Sequence, residues 1–85
     1  MSMVQQLIAA VANAERQIDD QMMRLRTYEA EVDHVKQRVD NALRGSEQEY
    51  AKRMMMQLDQ TKTQVETTIN QLQAAKDKLM RVRMI

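Results

Sequence analysis

The sequence contains no cysteine, proline, phenylalanine or tryptophan, and Gly45 is its one glycine. The lack of cysteine excludes disulfides and thiolate metal sites, and the other gaps leave almost nothing from which to build turns or an aromatic core. Helix-forming Gln, Met, Ala and charged residues take their place. At 85 residues the chain is at most one domain, 1–85, and a single copy buries too little apolar surface to be robust without a partner.

Charge and hydropathy exclude further classes of protein. Thirteen basic and twelve acidic side chains nearly balance, which gives no reason to expect binding to nucleic acid or to an anionic membrane. The longest apolar runs are too short to span a bilayer, so we expect no membrane insertion. The first residues, Met1-Ser2-Met3-Val4, lack a basic n-region, and we expect no cleavable secretory leader.

A seven-residue repeat runs through the first half of the chain. Its a positions are Val4, Val11, Ile18, Leu25, Val32 and Val39, and its d positions are Leu7, Ala14, Gln21, Tyr28, Val35 and Ala42. Gln21 is the one polar member. Such an a/d pattern predicts a long helix with an apolar seam.

A second repeat, in a different phase, runs through the other half. Its a positions are Ala51, Leu58, Val65, Leu72 and Leu79, and its d positions are Met54, Thr61, Thr68, Ala75 and Val82. We interpret the polar members of the two seams as register-setting core positions. Continuing the first series would place Ser46 and Arg53 in the seam, and the phase jump fits neither a three- nor a four-residue insertion, so one continuous coiled coil is disfavoured.

The residues at the phase jump predict a turn. Gly45 suits the left-handed conformation that ends a helix, and Ser46 with Glu49 fits a capping box that begins the next one. Ser2 and Gln5 repeat the box at the start of the first helix. The sequence therefore predicts an all-α, antiparallel two-helix hairpin with a first helix at about 3–43, a turn at 44–46 and a second helix at about 47–83, each roughly 60 Å long. The alternative is a pair of opened chains forming long rods, against which the turn chemistry argues.

The apolar stripe is wider than a two-stranded contact requires, because Ile8, Met22, Met55 and Ile69 extend it beside the seams. We therefore expect a second chain, identical or different, to complete a four-helix bundle. The predicted partner-binding residues are Val11, Ile18, Leu25, Val32, Met55, Leu58, Val65, Ile69 and Leu72.

Leu43-Arg44-Gly45 at the tip of a helical hairpin resembles the Trp-x-Gly motif of the WXG superfamily, the small helical substrates and partners of type VII secretion systems. The architectural resemblance covers nearly the whole chain, and leucine in place of tryptophan is similar to the Leu-x-Gly branch of effectors and accessory proteins. The family's export signal, Tyr-x-x-x-Asp/Glu, is missing, since Val32 follows Tyr28 and Met54 follows Tyr50 at that spacing.

The resemblance implies a cytoplasmic helical partner or targeting chaperone that binds a helical cargo. Any export would be leaderless and would use a signal that the cargo supplies. Two other functions stay open: a structural or adaptor homodimer, and a type III secretion chaperone. An ordinary helix C-cap is the alternative explanation of Leu43-x-Gly45. There is no phosphate-binding loop and no Ser/His/Asp or Cys/His set, so we expect neither an enzyme nor a cofactor.

Three smaller features have a simple structural explanation. His34 lies at a c position, on the solvated side of the first helix. In the run Met54-Met55-Met56, we expect core packing with Met56 exposed, and the alternative is an adaptable binding patch. The basic cluster of Lys76, Lys78, Arg81 and Arg83 suits the negative end of a helix dipole, and the alternative is contact with an acidic partner.

Overall fold

The computed structural model describes residues 2–44 and 49–84, and these form two α-helices and no strand. The helices are α1, Met3–Ala42, and α2, Glu49–Arg83. They pack against each other in a hairpin of 65 × 15 × 13 Å. A helix of forty residues is about 60 Å long, so the long dimension is that of one helix and not of an extended rod. The predicted all-α two-helix hairpin is confirmed.

The ends of α1 are fixed by local hydrogen bonds. The Gln5 amide donates to the Ser2 hydroxyl at 3.2 Å, and the Ser2 amide donates to the Gln5 side-chain oxygen at 3.3 Å. This confirms the predicted capping box. At the other end the Leu43 amide donates to the Val39 carbonyl at 2.9 Å. Gly45 and Ser46, with the predicted box at the start of the second helix, lie outside the described residues.

The contact between the helices is built on the a rows. Val11, Val32, Ala51 and Val65 are buried there. The second row of the α1 contact is the e row. Its residues and those of the a row are buried or half-buried in steps of four and three: Val11, Glu15, Ile18, Met22, Leu25, Glu29, Val32, Lys36, Val39 and Leu43. Ala12, Ala14, Asp19 and Asp33 are half-buried beside them. Alternate steps of four and three keep side chains on one helix face.

The prediction that the d row of α1 completes the core is therefore wrong. Leu7, Tyr28 and Val35 are 57%, 46% and 42% exposed, whereas Met22 in the e row is 4% exposed. Either row lies beside the shared a row, so cross-helix contacts decide which one turns inward. The e rows of the two helices carry long basic side chains. Their aliphatic stems cover the core, and their charged ends reach carboxylates on the other helix. These residues are Lys36 in α1 and Lys62, Lys76 and Arg83 in α2.

Neighbouring methionines test this helix orientation. Replacing Met22 with Ala should lower the free energy of unfolding by about 2 kcal/mol, because it removes a buried side chain from a thin core. The same change at Met23, which is 67% exposed, should alter it by less than about 0.5 kcal/mol. Urea denaturation followed by circular dichroism, at equal protein concentrations, measures both. Equal losses from the two variants would contradict the e-row core.

Candidate helix-binding site

One side of the hairpin, which we call the ion-pair flank, is closed by charged pairs between the helices. The pairs are Glu15 with Arg83 at 3.5 Å, Asp19 with Lys76 at 2.7 Å, Asp33 with Lys62 at 2.9 Å, and Lys36 with Asp59. Every basic member occupies an e position. The pairs follow the hairpin from its open end toward its tip, so they fix the rotation of each helix about its own axis.

The charges on this flank support one another. A hydrogen bond from Lys62 to Asp33, and the negative charge of Asp33, raise the pKa of Lys62 above its usual 10.5. A raised pKa in the folded state means that the pair stabilises the hairpin fully below pH 10.5 and loses its effect as the pH rises through the raised pKa. Lys62 is therefore charged at neutral pH.

Among the residues that the structure describes, Glu15 is the one charged residue that is buried, with 8% of its surface exposed. One of its carboxylate oxygens lies 3.5 Å from an Arg83 nitrogen. The other has no hydrogen-bond partner among the described residues. Burying a carboxylate with one free oxygen costs stability, and the sequence pattern alone did not indicate it. The consequence is local: Glu15 holds the Arg83 side chain at the open end of the hairpin.

The opposite side, which we call the uncharged flank, carries the d rows of both helices. Its members are Leu7, Ala14, Gln21, Tyr28, Val35, Ala42, Met54, Thr61, Thr68, Ala75 and Val82, none of which is charged. Two grooves show that the rows lie side by side: Leu7 and Val82 line one of about 340 Å³, and Gln21 and Thr68 line another of about 370 Å³.

Two of the polar side chains on this flank have already donated their hydroxyl hydrogens to the backbone of α2. The hydroxyls of Thr61 and Thr68 donate to the carbonyls of Gln57 and Gln64 in the preceding turn, each at 3.0 Å. Their hydrogens are thus satisfied within α2. Gln21, which is exposed, therefore presents the strongest donor and acceptor at the middle of an otherwise apolar or internally bonded row.

The most apolar part of the uncharged flank is at the open end. Val4, Leu7, Ile8 and Val82 are large hydrophobic side chains that remain exposed there, and together with Val11 and Arg83 they line the groove of about 340 Å³. Exposed apolar side chains gathered in one groove, rather than scattered singly, are typical of a protein-binding surface.

The predicted partner-binding residues lie in or beside the contact between α1 and α2. Val11, Val32 and Val65 are buried by the hairpin itself, and the other members are half-buried: Ile18, Leu25, Met55, Leu58, Ile69 and Leu72. The exposed surface is the neighbouring d row of α1, in which every residue except the half-buried Ala14 is exposed, together with Thr68 and Val82 of α2. The sequence shows that the d rows of both helices lack charge, but the pattern predicts that these rows lie in the core of the hairpin.

The structure also gives the exposure of His34, of the methionine run and of the basic cluster. His34, Met56 and Lys78 are exposed. Met54 and Met55 are half-buried, so one exposed methionine in that run is confirmed. Two members of the basic cluster, Lys76 and Arg83, pair with carboxylates of α1, a role that neither explanation of the cluster included.

The tip motif is described only in part. Leu43 is half-buried and lines a groove of about 420 Å³ with Val39, Ala51 and Met55. It thus covers the end of the contact between the helices. Glu49 begins α2 and accepts a hydrogen bond from Arg53 at 3.2 Å.

Other kinds of site find no support in the part of the chain that the structure describes. No cluster of His, Cys, Asp and Glu side chains within residues 2–44 and 49–84 could hold a metal ion. Neither helix has a segment long and apolar enough to cross a membrane. No protein-family model, curated protein or solved structure matches the chain, so its function must be argued from the two flanks.

The ion-pair flank can be tested by exchanging one pair. Asp19→Lys should destabilise the hairpin by placing two cations together, and the exchanged pair Asp19→Lys with Lys76→Asp should recover most of the loss. A double-mutant cycle on urea midpoints should give a coupling of about 0.2–1 kcal/mol for this partly exposed pair, which decreases in about 1 M salt. Additive effects of the two substitutions would show that the pair does not couple.

Proposed function

We propose that this chain is a non-enzymatic helical partner, a targeting chaperone that binds the helices of an elongated cargo protein along its uncharged flank. The observation that carries the proposal is the contrast between the two flanks. Cross-helix ion pairs close one, while the other has eleven d-row residues without a charge. A surface that stays in water along its whole length gains nothing from being uncharged, whereas one that is buried against another helix avoids the cost of desolvating charges.

The binding mode follows from the shape of the hairpin. Two further helices, laid along the d rows, would complete a four-helix bundle whose core includes the exposed Leu7, Tyr28, Val35 and Val82. The side chains already buried by the hairpin would form the floor of that core. A cargo with amphipathic helices would thereby keep its own apolar face out of water, and binding would stabilise both folds.

The proposed link to type VII secretion depends on the motif at the tip of the hairpin. The resemblance of Leu43-Arg44-Gly45 to the Leu-x-Gly branch of the WXG superfamily supports a cytoplasmic role beside type VII secretion, in which the cargo carries the export signal. Leu43, half-buried at the end of the α1–α2 contact, suits a residue that shapes the tip. A type III secretion chaperone would use the same flank, and no feature of the hairpin favours it.

A structural or adaptor homodimer without cargo is the second candidate. One observation favours it: an uncharged surface can meet an identical surface without repulsion, which a flank carrying charges of one sign cannot do.

Purification from the native host tests the proposal. We expect the tagged chain to be recovered with a helical protein in fixed stoichiometry, as measured by native mass spectrometry. Val35→Glu should abolish recovery of that protein, because it places a charge in the buried face of the bundle. Met23→Glu is the matched control, since it introduces the same charge at an exposed methionine away from the d row. Recovery only as a monomer or homodimer would contradict the cargo function, as would equal recovery of the helical protein by both variants.

A further inference from the structure

The α1 row of the uncharged flank is arranged symmetrically about Gln21. Ala14 and Tyr28 lie seven residues before and after Gln21, and Leu7 and Val35 lie fourteen residues before and after it. The ion pairs of Asp19 with Lys76 and of Asp33 with Lys62 give the register of the two helices. In this register Ala75 is the d-row residue of α2 that lies nearest to the level of Gln21.

We propose that Gln21 sets the register and direction in which a second helical hairpin docks on this flank, and that a second copy of this chain fits there reversed end to end. The two-fold axis would pass through the layer of Gln21. The inference rests on the proposed function in using the same surface, which a cargo would take by displacing the second copy.

The side-chain sizes fit the reversed arrangement. In it, α1 lies over α1 of the second copy, so the small Ala14 faces the large Tyr28 and the bulky Leu7 faces Val35. A copy docked in the same direction would instead lay α1 over α2.

The polar layer leads to the same arrangement. On a two-fold axis Gln21 meets Gln21 of the second copy, and each amide can donate to the oxygen of the other. In the unreversed arrangement Gln21 lies over Ala75 of the second copy, whose methyl group offers the amide no hydrogen-bond partner. A single polar layer of this kind fixes register in helical bundles, because any slip leaves a buried amide without its partner.

The charged residues that border the α1 row are compatible with self-association. They occupy g positions, and reversal about Gln21 places Arg24 beside Gln17 of the second copy, Glu31 beside Ala10 and Arg38 beside Met3. Each of these three charges therefore faces an uncharged residue.

The available area is also sufficient. The hairpin is 65 Å long and 15 Å wide, so one face offers roughly 1,000 Å², compared with the ~800 Å² per partner that a standard protein interface buries.

Cysteine crosslinking tests the arrangement cleanly, because the chain has no cysteine of its own. The chain is produced alone and treated with a short thiol-specific crosslinker. We expect Gln21→Cys by itself to form covalent dimers, since it faces its own copy, and a mixture of Ala14→Cys and Tyr28→Cys to form mixed dimers. Met23→Cys, exposed on another face, is the control and should stay monomeric on denaturing gels. Circular dichroism checks that each variant is folded.

Two results would overturn the proposal. Crosslinking of a Gln21→Cys and Ala75→Cys mixture, without crosslinking of Gln21→Cys alone, would show an unreversed copy. No crosslinking above the Met23→Cys control would show that the flank does not bind a second copy. Neither result depends on cargo recovery from the native host, so the two proposals fail separately.

The role of Gln21 itself needs one further variant. Gln21→Leu should retain or tighten dimerisation but lose the single register, so that Ala14→Cys by itself begins to form covalent dimers through a one-heptad slip of the axis. Unchanged crosslinking between positions 14 and 28, with none from Ala14→Cys alone, would show that Gln21 does not set the register.

Discussion

Two helices that meet along one line can bury only a narrow stripe of side chains, and this geometric constraint governs the rest of the molecule. The a rows supply the centre of the stripe, with Val11, Val32 and Val65 buried. One neighbouring row can join them, and the other must face outward. The ion pairs of Lys36, Lys62, Lys76 and Arg83 with carboxylates on the facing helix turn the e row inward. The uncharged d row of α1 is thereby left largely exposed.

Much of this architecture follows from the sequence. The repeat from Val4 to Val39 and its phase jump predict two helices and a reversal, and Ser2 with Gln5 predicts the cap that begins α1. The rotation of the helices is not predictable in this way, because it depends on contacts such as Lys76 with Asp19, whose partners are 57 residues apart. Periodicity assigns rows of residues to a helix face, but it does not predict whether the d row or the e row beside the a row contacts the other helix.

The same limit explains the candidate site. The residues predicted to bind a partner, such as Val32 and Val65, are buried in the contact between α1 and α2. The residues predicted to lie in that core, such as Tyr28 and Val35, are exposed instead. Both sets belong to one wide apolar surface. A hairpin divides that surface between an internal contact and an external one, and its function lies in the external part. A cargo helix or a second copy would meet the same uncharged flank, with Gln21 as its one strongly polar position.

The central claim is that this flank buries itself against another chain through apolar rather than ionic contacts. Sedimentation equilibrium of the purified chain, in low salt and in about 1 M salt, tests it directly, because ionic contacts are screened at a Debye length of about 3 Å while apolar contacts are not weakened. The account predicts a mass twice the 10.0 kDa of one chain under both conditions. A folded monomer in low salt, or a dimer that dissociates in high salt, would contradict it.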